Sequence, residues 1–221
     1  MTPENTKPVE FLYARPPEVP ELGPGINVML AMGSFASRMV REERSRTDHP
    51  DGRAENVAEH SYMLAKVAVA LADEMYPWMD RGKIALYAIS HDDVEGYVGD
   101  TPTDSIANHD QALKELREAR GLQQLTDEFS GIAPGYVADV NTYEHQEEYE
   151  AQFVRIIDKL MVLLIHIPNE GAVLKANYTY DMLIQDARRV EQKLLEQYPH
   201  FIEIIEMRTQ LSDYLADKYL R

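Results

Sequence analysis

Residues 56–75 read NVAEHSYMLAKVAVALADEM. Leu64, Val67, Leu71 and Met75 follow His60 at offsets of 4, 7, 11 and 15, which is the spacing of one helical face. The segment is therefore expected to be a core helix that carries a histidine inward. A second apolar helix, VRIIDKLMVLLI (residues 154–165), sets Asp158 on one face with Val154, Met161 and Ile165. In a third, KIALYAISHDD (residues 83–93), His91 follows Ile84 and Tyr87, and Asp92 follows Ala85 and Ala88 on the adjoining face. Three helices thus each aim an imidazole or a carboxylate at the core.

Outward from these segments the pattern stays helical. Helices are expected near residues 27–43, 56–76, 80–95, 105–121, 122–130, 143–167, 170–197 and 199–219, and strand-like alternation is nearly absent. The breaks fall at TDHPDGRAEN, YPWMD, GYVGDTPTD, SGIAPG and IPNEG. Six of the twelve prolines (Pro3, Pro8, Pro16, Pro17, Pro20 and Pro24) lie at the start. The expected organisation is all-α: an extended Pro-rich arm over residues 1–26 and one helical domain over residues 27–221.

Composition narrows the function. A formal charge of −16 disfavours duplex nucleic acid, whose binding relies on basic residues releasing counterions. The apolar runs fall far short of the roughly 20 residues of a membrane span, so no membrane partner is expected. MTPENTKPVEF shows no basic and apolar leader, so the cytoplasm is the default compartment. With no cysteine there is no disulfide framework, thiol nucleophile or cysteine metal site.

A buried carboxylate must pair, protonate or bind a metal. His60, His91, Asp92 and Asp158 together form a two-imidazole, two-carboxylate set suited to one divalent ion such as Mn²⁺, Fe²⁺, Co²⁺ or Zn²⁺. The competing reading of each residue is ordinary: a lone inward histidine is usually a satisfied core residue, and Asp158 beside Lys159 makes a plausible ion pair. The metal reading has the advantage of explaining three helices at once. Glu95, four residues after His91, stands one turn on if that helix continues, where it can handle the proton of a water. Asp93 is expected to face solvent. Gly96 and Gly99 precede a loop, Asp100-Thr101-Pro102-Thr103, whose polar groups suit a sugar.

ENVAEHS, HDDVEGYVGDTPT and IIDKL resemble the H…HD…D signature of the HD-domain phosphohydrolases, most closely the bacterial 5′-deoxynucleotidase branch, over roughly residues 37–165. The resemblance implies an HD-type helical bundle with His60, His91, Asp92 and Asp158 as metal ligands. It further implies Glu95 as the catalytic carboxylate, Asp100, Thr101, Pro102 and Thr103 at the nucleotide, and an arginine before the first ligand helix on the phosphate. Arg44 fits that arginine best and Arg46 is the substitute, because SRTDHPDGR carries an apparent insertion and lacks the expected tryptophan. Lys159 is a further candidate for steering phosphate. The implied substrate is a small deoxynucleotide, hydrolysed to phosphate through a metal-activated water, and the implied assembly is a homodimer. A triphosphohydrolase acting on deoxynucleoside triphosphates is the alternative, given Arg38, Arg41, Arg44, Arg46 and Arg53 nearby. A helical module with a purely structural metal is the non-catalytic alternative.

Overall fold

The computed structural model describes residues 23–49, 51–99 and 108–221. Over these the protein is helical apart from one short hairpin. The order is α1 (Pro24–Met39), β1 (Glu43–Asp48), β2 (Ala54–Asn56), α2 (Val57–Met75), α3 (Arg81–Ser90), α4 (Glu95–Val98), α5 (Asn108–Phe129), α6 (Pro134–His145), α7 (Tyr149–Leu164), α8 (Ala172–Asn177), α9 (Tyr180–Gln197) and α10 (Ile202–Tyr219). A 3₁₀ turn at Pro199–Phe201 leads into α10.

The main core forms where α2, α3, α7 and α10 meet. Leu64, Ile84, Phe153, Ile156, Ile157, Ile204 and Ile205 are fully buried there, each side chain contributing about 1.5–3 kcal/mol through removal from water. A second cluster joins α1, α5 and α6 through Phe35, Met39, Leu125, Phe129 and Val140. A third, from Leu163, Leu174, Leu183 and Leu215, seats the C-terminal helices. No helix among the described residues is long and apolar enough to cross a membrane.

Local signals fix the helices that matter for the site. At α2, Asn56 accepts from the Glu59 N–H (2.9 Å) while the Glu59 carboxylate accepts from the Asn56 N–H (3.2 Å), a reciprocal cap that starts the helix one turn before His60. At α3, Asp80 accepts from the Gly82 and Lys83 N–H groups.

Several boundaries differ from the sequence-based expectation. The antiparallel β1–β2 hairpin occupies a stretch expected to lack strands, and Val57 N–H donating to Glu42 O (2.9 Å) ties it to α2. The helix expected from residue 27 starts at Pro24, where a proline at the first helical position needs no N–H partner; residues 1–22 of the arm lie outside the described residues. The helices expected at 105–121 and 122–130 are one helix running through Gly121. Pro134, expected to break the chain, opens α6. The helix expected at 80–95 ends at Ser90, with a turn over 91–94 before α4. The one expected at 170–197 divides before Thr179, whose side chain caps α9.

Candidate metal centre

Three elements converge on one buried point. α2 brings His60, the turn after α3 brings His91 and Asp92, and α7 brings Asp158; His60, His91 and Asp158 are all buried. His60 Nε2 lies 3.0 Å from Asp158 Oδ1, and His91 Nε2 lies 3.7 Å from that same oxygen. One donor atom from each of the three falls within 4.8 Å of the others. Metal–ligand bonds of roughly 2.0–2.2 Å give neighbouring donors separations of about 3.0 Å in an octahedral and about 3.4 Å in a tetrahedral shell. The observed spacing therefore fits a single cation. Asp92 stands at the edge of this set, with Oδ2 2.9 Å from His91 Nε2.

The state of His91 supports the same reading. Its Nδ1–H donates to Ala88 O at 3.0 Å, which anchors the ring and leaves Nε2 directed at the site. Nε2 is buried and has no partner in hydrogen-bond geometry, although a carboxylate oxygen is close. An imidazole anchored through Nδ1, with Nε2 turned to two carboxylates, is the donor arrangement a divalent cation completes by displacing the ring proton.

Electrostatics point the same way. Burial disfavours the charged imidazolium, but the Asp92 and Asp158 carboxylates outweigh it and push the His91 pKa up to about 10. Burial also works against the Asp158 carboxylate, yet Lys159, His60 and His91 hold its pKa well below the usual range. Asp92 is lowered too, with His91 and then Arg44 overcoming its burial. The site is negative enough to keep a proton on a buried ring, and a divalent cation competes for that position.

Beside this set, Arg44 of β1 pairs with Asp92 through Nη1 and lies 3.9 Å from Glu95 Oε2. Glu95 opens α4 and lines a cleft together with His91, Asp92, Lys114, Arg117 and Arg155. Although α3 does not continue as expected, Glu95 still faces the cleft beside His91. Lys159 donates to Asp158 Oδ2 at 2.8 Å, the ordinary ion pair weighed against its phosphate-steering role. Arg46 lies in β1 with its side chain outside the described set, and Asp100, Thr101, Pro102 and Thr103 lie outside the described residues.

One expectation is corrected outright. Asp93 is 8% exposed, not solvent-facing, and accepts a hydrogen bond from the Tyr136 hydroxyl at 2.7 Å. The turn over 91–94 swings it inward, and burial raises its pKa to about 7.

Other residues were not singled out from the sequence. Arg155 stands three residues before Asp158, on the same face of α7, and its guanidinium lies 4.9 Å over the Tyr143 ring; that spacing was available as a signal. Lys114 and Arg117, one turn apart on α5, also line the cleft. Buried Glu55 had only its place in ENVAEHS to mark it.

The comparisons with known proteins agree with this geometry. A family model described as an HD domain matches residues 37–200. A 5′-deoxynucleotidase of Xenopus laevis is 30% identical over 114 residues, covering 51% of this chain and 54% of that protein. A 5′-deoxynucleotidase of Klebsiella pneumoniae is 30% identical over 122 residues, covering 51% and 59%. The chain thus spans little more than half the length of these curated relatives. Among solved structures, a "predicted metal-dependent phosphohydrolase" from Magnetospirillum magnetotacticum superposes with a TM-score of 0.65 at 28% identity, covering 88% of this chain and 96% of that one.

Proposed function

Since residues 37–200 make this chain a member of the HD-domain family, we propose that it is a metal-dependent phosphohydrolase that releases phosphate from deoxynucleoside 5′-monophosphates. The observation that carries the proposal is the buried convergence of His60, His91 and Asp158, with one donor atom from each within 4.8 Å of the others and Asp92, Arg44 and Glu95 alongside. The deoxynucleotide preference rests on the similarity to the two 5′-deoxynucleotidases.

In this reading His60, His91, Asp92 and Asp158 hold one Mn²⁺, Co²⁺, Fe²⁺ or Zn²⁺ ion. Such an ion, when bound, polarises a phosphoryl oxygen and lowers the pKa of a bound water. Arg44 offers forked N–H donors to the remaining phosphoryl oxygens. Glu95, at the cleft wall, takes the proton of the attacking water or returns one to the leaving 5′-oxygen. Asp100, Thr101, Pro102 and Thr103 are proposed at the sugar, Arg46 as the substitute phosphate ligand, and Lys159 as a partner of Asp158 that raises local positive charge.

The charge balance favours a monophosphate. The described lining of the cleft holds four carboxylates (Asp92, Glu95, Glu118 and Glu144) against three cations (Lys114, Arg117 and Arg155). Two of the arginines counted toward a triphosphate are engaged elsewhere: Arg38 with Glu128 at 3.3 Å and Arg53 with Glu59 at 2.8 Å. A divalent ion and Arg44 then balance a dianion better than a triphosphate tail.

The test is a panel of deoxy- and ribonucleoside mono- and triphosphates, with phosphate and triphosphate detected separately. Phosphate from deoxynucleoside monophosphates supports the proposal, and triphosphate from dATP would replace it with the triphosphohydrolase. Stoichiometric metal with no product, together with unchanged behaviour of Glu95→Ala, would leave only a structural metal. A homodimer is proposed alongside, supported by exposed Tyr62, Trp78 and Ile89. A light-scattering mass of 25.3 kDa would refute it.

A further inference from the structure

Glu55 is 2% exposed, and a carboxylate buried that deeply needs its charge answered. Its position follows from the hairpin. Ala54 pairs with Asp48 and Asn56 with Glu43, and only the middle residue of β2 is buried. Glu55 therefore points beneath the start of α2. Its Oε2 lies 3.4 Å from His60 Nδ1 and 3.5 Å from Arg44 Nε. One oxygen thus sits between a proposed metal ligand and the proposed phosphate-binding arginine.

We propose that Glu55 is a positioning residue that orients the His60 imidazole toward the cation and holds Arg44 against the same site. The inference rests on the phosphohydrolase reading for the role of Arg44; its metal arm stands on geometry alone. His60 Nε2 now faces the Asp158 Oδ1 acceptor at 3.0 Å; once a cation takes the place of its proton, the remaining ring proton stands on Nδ1, 3.4 Å from Glu55 Oε2. A carboxylate behind a ligating imidazole fixes its tautomer and ring orientation. Arg44 places Nε 3.5 Å from Glu55 Oε2 and pairs through Nη1 with Asp92. When a phosphate competes for the Nη1 edge, the Nε edge keeps the guanidinium plane in place.

The experiment is a Mn²⁺ titration, read by electron paramagnetic resonance, of the EDTA-stripped parent, Glu55→Gln and Glu55→Asp. Helical circular dichroism confirms that each is folded. Glu55→Gln is expected to bind Mn²⁺ roughly 10–100-fold more weakly, with Glu55→Asp recovering part of the loss and KM for dAMP rising in parallel. A Glu55→Gln protein that is folded, melts lower and binds Mn²⁺ within twofold of the parent would overturn the inference, because a merely structural carboxylate acts in that way. Should Glu55→Gln fail to fold, nitrogen-labelled histidine spectra of the zinc-loaded parent decide: a protonated Nδ1 and a coordinated Nε2 on His60 support the inference, and coordination through Nδ1 overturns it. A parent that binds Mn²⁺ but hydrolyses no nucleotide would sink the phosphohydrolase reading instead, and the metal titration would still judge Glu55.

Discussion

Gly121 of α5 offers a sharp test of how the scaffold places the site. A Cβ at this position would lie 2.7 Å from Val94 Cγ1, 3.0 Å from Val98 Cγ1 and 3.2 Å from Val94 O. Carbon atoms rest at about 3.5–4.0 Å, so the first contact is short by roughly 1 Å. Both valines are β-branched and stiff at χ1, and Val94 is buried, so neither side chain can turn away. The segment carrying Asp92 and Glu95 must retreat instead. In Gly121→Ala the helix gains about 1 kcal/mol in propensity, against an overpacking cost of about 1–3 kcal/mol. The net loss is about 0–2 kcal/mol, a drop of at most about 8 °C in Tm for a chain of this size. Catalysis is the more sensitive readout, because a 1 Å misplacement costs on the order of a hundredfold. The assay is phosphate release from dAMP at saturating Mn²⁺, beside circular-dichroism melting. The control is Gly33→Ala in α1, which meets nothing within 4 Å and is expected to gain roughly 0.5–1 kcal/mol with full activity. A Gly121→Ala protein with a raised Tm and more than half the parent turnover would show that the contact with Val94 does not set the site.

Asp158→Asn is expected to keep its helical spectrum but to weaken Mn²⁺ binding at least about a hundredfold, since one carboxylate's attraction for a dication at an effective dielectric of about 20 exceeds that loss; retained affinity would contradict the ligand set. Gly171 has φ of +71°, and a Cβ there would lie 2.4 Å from Tyr219 Cγ. Gly171→Ala should therefore lose at least about 2 kcal/mol from strain and overpacking, and an unchanged Tm would be inconsistent with that contact. His166 is 8% exposed, and burial lowers its pKa to about 4. The unfolded chain takes up its proton first, so the His166 contribution is intact above about pH 6.5 and declines toward pH 4, by up to about 3 kcal/mol. His166→Leu in EDTA should flatten urea-melt stability across that window, and an acid dependence parallel to the parent's would exclude the role.

The core helices were legible because their apolar positions repeat at helical spacing: α2 and α7 place His60 and Asp158 inward as their periodicity required. The hairpin was not, because its first strand, ERSRTD, is polar and carries no alternation, and its pairing is secured by contact with α2. Glycine and proline misled in both directions. Gly121 reads as a break, yet the close approach of α5 to Val94 makes glycine the residue that fits inside that helix. Pro134 reads as a stop and is a start. Asp93 went astray because facing was inferred from a helix that ends at Ser90. Arg44 stood out through the family resemblance and Arg155 could be read from its spacing to Asp158, whereas Glu55 became visible only once packing brought α2 and the hairpin around one point.

The most direct test of the central claim is phosphate release from dAMP by the EDTA-stripped protein, before and after titration with Mn²⁺ or Co²⁺. Silence is expected from the stripped protein, and activity that rises to saturation at one equivalent per chain. Equal release with and without metal, or none from a protein that holds its metal, would contradict it.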